Sequence, residues 1–109
     1  MSIQLPTIIE EYYQAKNRHD TTAMLACFAE SAVVQDEGEE LRGPATIANW
    51  IETTNRKYRV TVEATSVKEQ HGETVVTAQV SGNFDGSPIE LHYHFVVEND
   101  KIVSLAIRG

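Results

Sequence analysis

Residues 74–98 read TVVTAQVSGNFDGSPIELHYHFVVE, and this stretch has a period of two. Val76, Ala78, Val80, Gly82 and Phe84 alternate with Thr77, Gln79, Ser81 and Asn83. Asp85-Gly86 then supplies a hairpin signal. Beyond it Ile89, Leu91, Tyr93, Phe95 and Val97 alternate with Glu90, His92, His94, Val96 and Glu98. Successive strand side chains point to opposite faces, so the pattern predicts antiparallel strands with one buried face and one more polar face.

The same period extends outward on both sides. Upstream, Val60, Val62 and Ala64 alternate with Thr61, Glu63 and Thr65, and His71-Gly72 marks a turn. Downstream, Asn99-Asp100 turns the chain, and Val103, Leu105 and Ile107 form a last strand. Before Tyr58 the period is helical. From Leu5 to about Arg18, Leu5, Ile8, Ile9, Tyr12, Tyr13 and Ala15 form a stripe, with Glu10, Glu11, Gln14 and Asn17 between them. Pro6 suits a first helical turn. Asp20 reads as the N-cap of a second short helix carrying Ala23, Met24, Cys27 and Phe28. Ala32–Val34 is a short strand, and the acidic segment from Asp36 to Glu40 reads as a loop. Gly43-Pro44 opens a third helix with Ile47, Trp50 and Ile51 on one side. Helices first and antiparallel strands second predict an α+β fold.

The length of 109 residues fits a single domain spanning 1–109, with no repeat or linker. Nine Lys and Arg against sixteen Asp and Glu give a net charge of −7, which excludes nucleic acid and an anionic membrane surface as expected partners. Met1 to Pro6 has no basic start and apolar run of a signal peptide, so a cytoplasmic location is expected. Cys27 is alone and reads as a buried, inert thiol; acting as a nucleophile would require a nearby base. His92 and His94 share one strand face but lack a third ligand at useful spacing, so no metal is expected. The small residues Ala78 and Gly82 punctuate the inner face. They either leave a space opposite Trp50 and Tyr12 or make room for helix packing or a bulge.

The order and content of these elements resemble the NTF2-like superfamily, in particular its branch of ketosteroid isomerases and SnoaL-like polyketide cyclases. The resemblance covers nearly the whole chain. It rests on Tyr12, Asn17 and Asp20, on Phe28-Ala29 before Ala32-Val33, on Asp36 closing the strand, and on Gly43 and Trp50. It implies a cone-shaped, cystatin-like fold, with about three helices in the concavity of a curved, mainly antiparallel sheet. It also implies that Asp36 is a general base and Tyr12 an oxyanion donor. Where the isomerase pattern has a protonated acid before a His-Phe pair, this chain has Tyr93 before His94-Phe95. Ala78 and Gly82 stand where that pattern has aromatics.

A carboxylate held against the carbon next to a carbonyl can remove its proton if donors stabilise the resulting oxyanion. By resemblance, Asp36 would take that role, with Tyr12 and Tyr93 as donors. Trp50, Phe28, Val34, Ala78, Val80, Gly82, Leu91, Phe95 and Leu105 would wall the pocket. Read without the resemblance, Asp36 is a solvated loop acid and the tyrosines are core residues. The expected function is a cofactor-free isomerase or cyclase acting on a small apolar carbonyl compound. The alternative is a non-catalytic ligand-binding or dimerisation module. Either form would pair as a homodimer through the outer sheet face. Epoxide hydrolysis or dehydration would need paired acids or an inward His, which the nearly all-apolar inner face does not offer.

Overall fold

The structure is a computed structural model and describes residues 4–36 and 38–109. Helix α1 (Thr7–Asn17) buries Ile8, Ile9, Tyr12, Tyr13, Ala15 and Lys16, and its other face is polar. Pro6 stands at the cap rather than inside the first turn, and its carbonyl accepts the Glu10 N–H at 2.9 Å. Helix α2 (Thr21–Ala26) is short and held at its start by Asp20. The Asp20 carboxylate accepts the Ala23 N–H at 3.0 Å, the usual way of satisfying a first-turn donor. His19, in the link between these helices, is anchored by a 2.9 Å hydrogen bond between its Nε2 and the Val60 carbonyl.

Strand β1 (Phe28–Asp36) is longer than the apolar run Ala32–Val34 suggests and takes Phe28 out of the helix expected to hold it. The acidic segment is the turn of a hairpin, and its second arm is strand β2 (Glu39–Arg42). Asp36 pairs with Glu39 and Val34 with Leu41. Three exposed charges on a four-residue strand suit a sheet edge, where they discourage further pairing. Helix α3 (Pro44–Tyr58) starts after Gly43, whose φ of 86° only glycine adopts freely. Ile47, Ile51 and Asn55 form its buried stripe. Asn55 is satisfied there by Thr21 Oγ1 and Met24 Sδ.

Strands β3 (Thr61–Gln70), β4 (Glu73–Ser81), β5 (Ile89–Glu98) and β6 (Lys101–Arg108) complete a six-stranded sheet in the order β2-β1-β6-β5-β4-β3. Only the β1–β6 pair is parallel. Register shifts at Phe28/Val33, Ala64/Ser66 and Val96/Val97 interrupt the ladders, and bulges of this kind bend a sheet. The sheet stays open, and the helices pack in its concavity, giving an α+β cone.

The β4–β5 connection differs from the tight hairpin that Asp85-Gly86 suggests. Pairing ends at Val80↔Ile89, so Gly82 and Phe84 lie in a loop rather than on the strand. The loop is drawn onto the end of α3, where the Asn83 N–H donates to the Tyr58 carbonyl at 2.7 Å. A Cβ on Gly82 would stand 2.6 Å from that same carbonyl oxygen, so the close backbone approach demands a bare residue.

The interior is densest under α1. Tyr12 meets Phe28 and Phe95 edge-on with ring centroids 5.6 and 5.8 Å apart, and Tyr13 meets Tyr93 at 5.5 Å. These offset geometries favour aromatic contact. Cys27 is buried beside this cluster. Its Sγ–H points to the Ala23 carbonyl, and burial raises the thiol's pKa, as fits an inert group. No helix among the described residues is long and apolar enough to cross a membrane.

Candidate functional site

The dense packing stops about one helical turn past Tyr12. A cavity of about 230 Å³ opens between the end of α1, the middle and end of α3, and the inner sheet face. Its apolar wall includes Val80, Leu91 and Ile107, and Phe84 and Ile89 stand at its loop side. Four ionisable residues also line it: Lys16 from α1, Asp36 from β1, Tyr58 from the end of α3 and Tyr93 from β5.

Sheet register explains two of these. Asp36 pairs with Ile107, and Ile107 pairs with Tyr93, so the three lie in one row across β1, β6 and β5. Neighbouring strands are spaced by about 4.8 Å, which sets the Asp36 and Tyr93 backbones about 10 Å apart with Ile107 between them. The Trp50 indole reaches down from α3 and donates Nε1–H to Asp36 Oδ2 at 3.0 Å. Asp36 is therefore half-buried and oriented, unlike its exposed neighbours Glu39 and Glu40.

Lys16 is the residue that the sequence reading passed over. It is 5% exposed, on the same stripe as Ile9, Tyr12 and Tyr13. Those positions follow the spacing i, i+3, i+4, i+7, so the signal was a lysine occupying an apolar position of the helix. Burial drives its pKa down to about 8, and the Asp36 carboxylate partly opposes the fall. No ion pair or hydrogen bond to its ammonium forms with another described residue.

Of the residues expected at the site, Asp36, Tyr93, Trp50, Val80 and Leu91 line this cavity. Tyr12 does not. It is fully buried in the aromatic cluster, and its hydroxyl has no partner among the described residues. Burial, with Tyr93 adding to it, holds that phenol far above its ordinary pKa. Tyr93 is raised as well, by burial first and Asp36 second, so both stay protonated as donors. Phe28, Val34, Ala78, Phe95 and Leu105 belong to the closed core rather than the cavity wall. Gly82 abuts Tyr58 behind the cavity's loop side.

A larger hollow of about 430 Å³ lies against the β1–β2 turn and shares Asp36 and Ile107 with the first. Its walls include Glu39, Glu40 and Arg108, so it is polar where the first is mostly apolar. On the outer face, His92 Nδ1 pairs with Thr77 Oγ1 at 3.0 Å and His94 Nδ1 with Glu73 Oε1 at 3.2 Å. Among the described residues no three His, Cys, Asp or Glu side chains gather as metal ligands.

The profile of the SnoaL-like domain matches residues 9–105. The chain belongs to the SnoaL-like family. Protein SMa1630 of Sinorhizobium meliloti, assigned as a polyketide cyclase, is 34% identical to this SnoaL-like chain, with 95% of each covered and a TM-score of 0.90. A protein with a ketosteroid isomerase-like fold from Catenulispora acidiphila, solved with trimethylamine, is 18% identical. Its TM-score is 0.84, over 97% of this chain and 87% of that one. An NTF2-like protein of Cytophaga hutchinsonii, also 18% identical, covers 98% and 92% with a TM-score of 0.77. The two more distant likenesses establish the NTF2-like fold of this SnoaL-like domain. No functionally curated protein matches it by sequence.

Proposed function

We propose that this SnoaL-like domain binds a small, mostly apolar carbonyl compound in the 230 Å³ cavity and removes a proton α to the carbonyl with Asp36. The observation that carries this reading is the placement of Asp36 on a mostly apolar wall, oriented by the Trp50 N–H at 3.0 Å. A carboxylate fixed in that way can meet a substrate carbon directly. Tyr93, on the same sheet row, supplies a protonated donor for the developing oxygen charge. Tyr12 stands behind the wall and acts as packing beneath it. The assignment of the Sinorhizobium relative as a polyketide cyclase agrees with an enolising reaction, in which an isomerisation or ring closure follows proton removal.

The outer face carries half-buried Val75 and Val96 around the His94–Glu73 pair, and we read it as the homodimer surface in a cytoplasmic protein. Light scattering of Val96→Asp tests the pairing: a monomer is expected, and an unchanged mass removes that surface.

Catalysis is tested by deuterium uptake from solvent into a panel of enones and β-keto compounds. Asp36→Asn is expected to slow uptake by about 100-fold or more, the usual contribution of a positioned base. Equal rates in both proteins would remove Asp36 as the base. Binding without uptake in the wild type would leave a ligand-binding module.

A further inference from the structure

The lysine at the cavity wall has no part in the proton abstraction just described, although it lines the same cavity. Helix α1 delivers it there on the apolar stripe, opposite the sheet row that carries Asp36 and Tyr93. The other three lysines, Lys57, Lys68 and Lys101, are exposed. Burying a lysine is costly, and a purely structural interior has no use for one that a methionine or leucine would fill better.

We infer that Lys16 is a carbonyl-capturing amine, forming an imine with an aldehyde or ketone that enters this cavity while Asp36 carries the protons. This rests on the reading of Asp36 as the proton carrier of the same site. It narrows the ligand from carbonyl compounds in general to unhindered aldehydes and ketones, whose carbonyl carbon an amine can attack.

The step balances within the pair. Asp36 takes one proton from the Lys16 ammonium through a water in the cavity, and the freed nitrogen lone pair forms the N–C bond as the carbonyl π pair moves to oxygen. A second nitrogen proton passes to that oxygen through Asp36. The C–O bond then breaks with the first proton delivered to it, and the oxygen leaves as water. Lys16 keeps one proton and the positive charge as an iminium, and Asp36 is again a carboxylate. Asp36 then removes the α proton. The C–H pair becomes the enamine C=C, and the C=N π pair returns to nitrogen. Reprotonation at carbon and hydrolysis by water restore the amine.

Three features support this. The cavity is apolar around the amine, which favours its neutral form; with a pKa near 8, about a tenth of it is neutral at pH 7. Among the described residues Asp36 is the only carboxylate lining the cavity, and its charge acts on Lys16 from β1. Tyr93 faces from β5 and stays protonated, so it supplies a hydrogen bond to the carbinolamine oxygen and no competing charge.

The test uses the full chain, phenylacetaldehyde as the probe, and sodium cyanoborohydride to fix any imine as a stable amine, with peptide mapping by mass spectrometry. At pH 7 the Lys16 peptide is expected to gain one phenethyl group at least about tenfold faster than the peptides of Lys57, Lys68, Lys101 or the α-amino end. Lys16→Met and Lys16→Arg, each checked for folding by circular dichroism, should lose the fast modification. Asp36→Asn should slow it by at least about tenfold. Lys16 labelled no faster than the exposed lysines overturns the proposal, and an unchanged Lys16 rate in Asp36→Asn overturns the part given to Asp36. Deuterium uptake separates the two readings. If Lys16→Met exchanges at the wild-type rate while Asp36→Asn does not, the base stands and the imine falls. If Lys16 is captured but uptake is the same in Asp36→Asn, the imine stands and the base falls.

Discussion

One stripe of α1 serves two interiors. Tyr12 and Tyr13 enter a closed aromatic cluster with Phe28, Tyr93 and Phe95, where ring centroids lie 5.5 to 6.1 Å apart. Lys16, one turn further on, enters an open cavity beside Asp36. The helix geometry is the same at both places; what differs is the sheet beneath. Under the tyrosines the sheet presents Phe95 and Leu105, while under Lys16 it presents Ile107, Leu91 and Val80, with the β4–β5 loop pulled aside onto Tyr58. The closed end contributes stability, and the open end gives some of it up to hold a charge where a ligand can reach it. Tyr93 joins the two, stacked on Phe95 and lining the cavity.

The contrast can be broken most severely at the closed end. Phe95 is fully buried, and Phe95→Ala should cost about 3–5 kcal/mol, read as a large fall in the urea midpoint. A loss below about 1 kcal/mol would mean that the cluster is loosely packed.

At the open end the sign reverses. The fall of the Lys16 pKa from 10.5 to about 8 corresponds to up to about 3 kcal/mol of destabilisation. Lys16→Met should therefore stabilise the protein at pH 7 by up to that amount. Between pH 8 and 10.5 the unfolded chain binds more protons at Lys16 than the folded one, so stability rises with pH in the wild type relative to the variant. The advantage of Lys16→Met should be full below pH 8 and shrink as pH climbs toward 10.5. Paired urea titrations at pH 7 and pH 10 measure it; a constant gap would contradict a buried lysine.

A smaller effect is expected where the loop meets α3. Gly82→Ala places a methyl against the Tyr58 carbonyl, and should cost about 2 kcal/mol while shifting Tyr58 and Phe84 at the cavity edge. The smallest effect lies away from both ends. Asp20→Ala removes the N-cap of α2 and should cost about 1 kcal/mol, leaving the Lys16 titration unchanged.

The period of two in 74–98 and the helical stripe before it were enough to read the layers, because each face is buried on one side only. The matches at Asp36 and Trp50, and the departure at Tyr93, led to residues that the structure gathers on one cavity. Lys16 was not legible, since a lysine with a long apolar stem on a helix stripe ordinarily reaches back to water. Only the three-dimensional cover of α3 and the sheet turns it instead into the cavity. Strand β2 was hidden for a different reason: an edge strand of exposed charges has no alternation to read. Gly82 likewise owes its identity to a carbonyl more than twenty residues away, which no local pattern encodes.

The burial of Lys16 within the influence of the Asp36 charge is tested most directly by NMR titration of the Lys16 side chain in the ligand-free protein. The expected midpoint is about 8, held from falling further by Asp36, and lower still in Asp36→Asn. A midpoint near 10.5 in both proteins would put Lys16 in water and contradict the account.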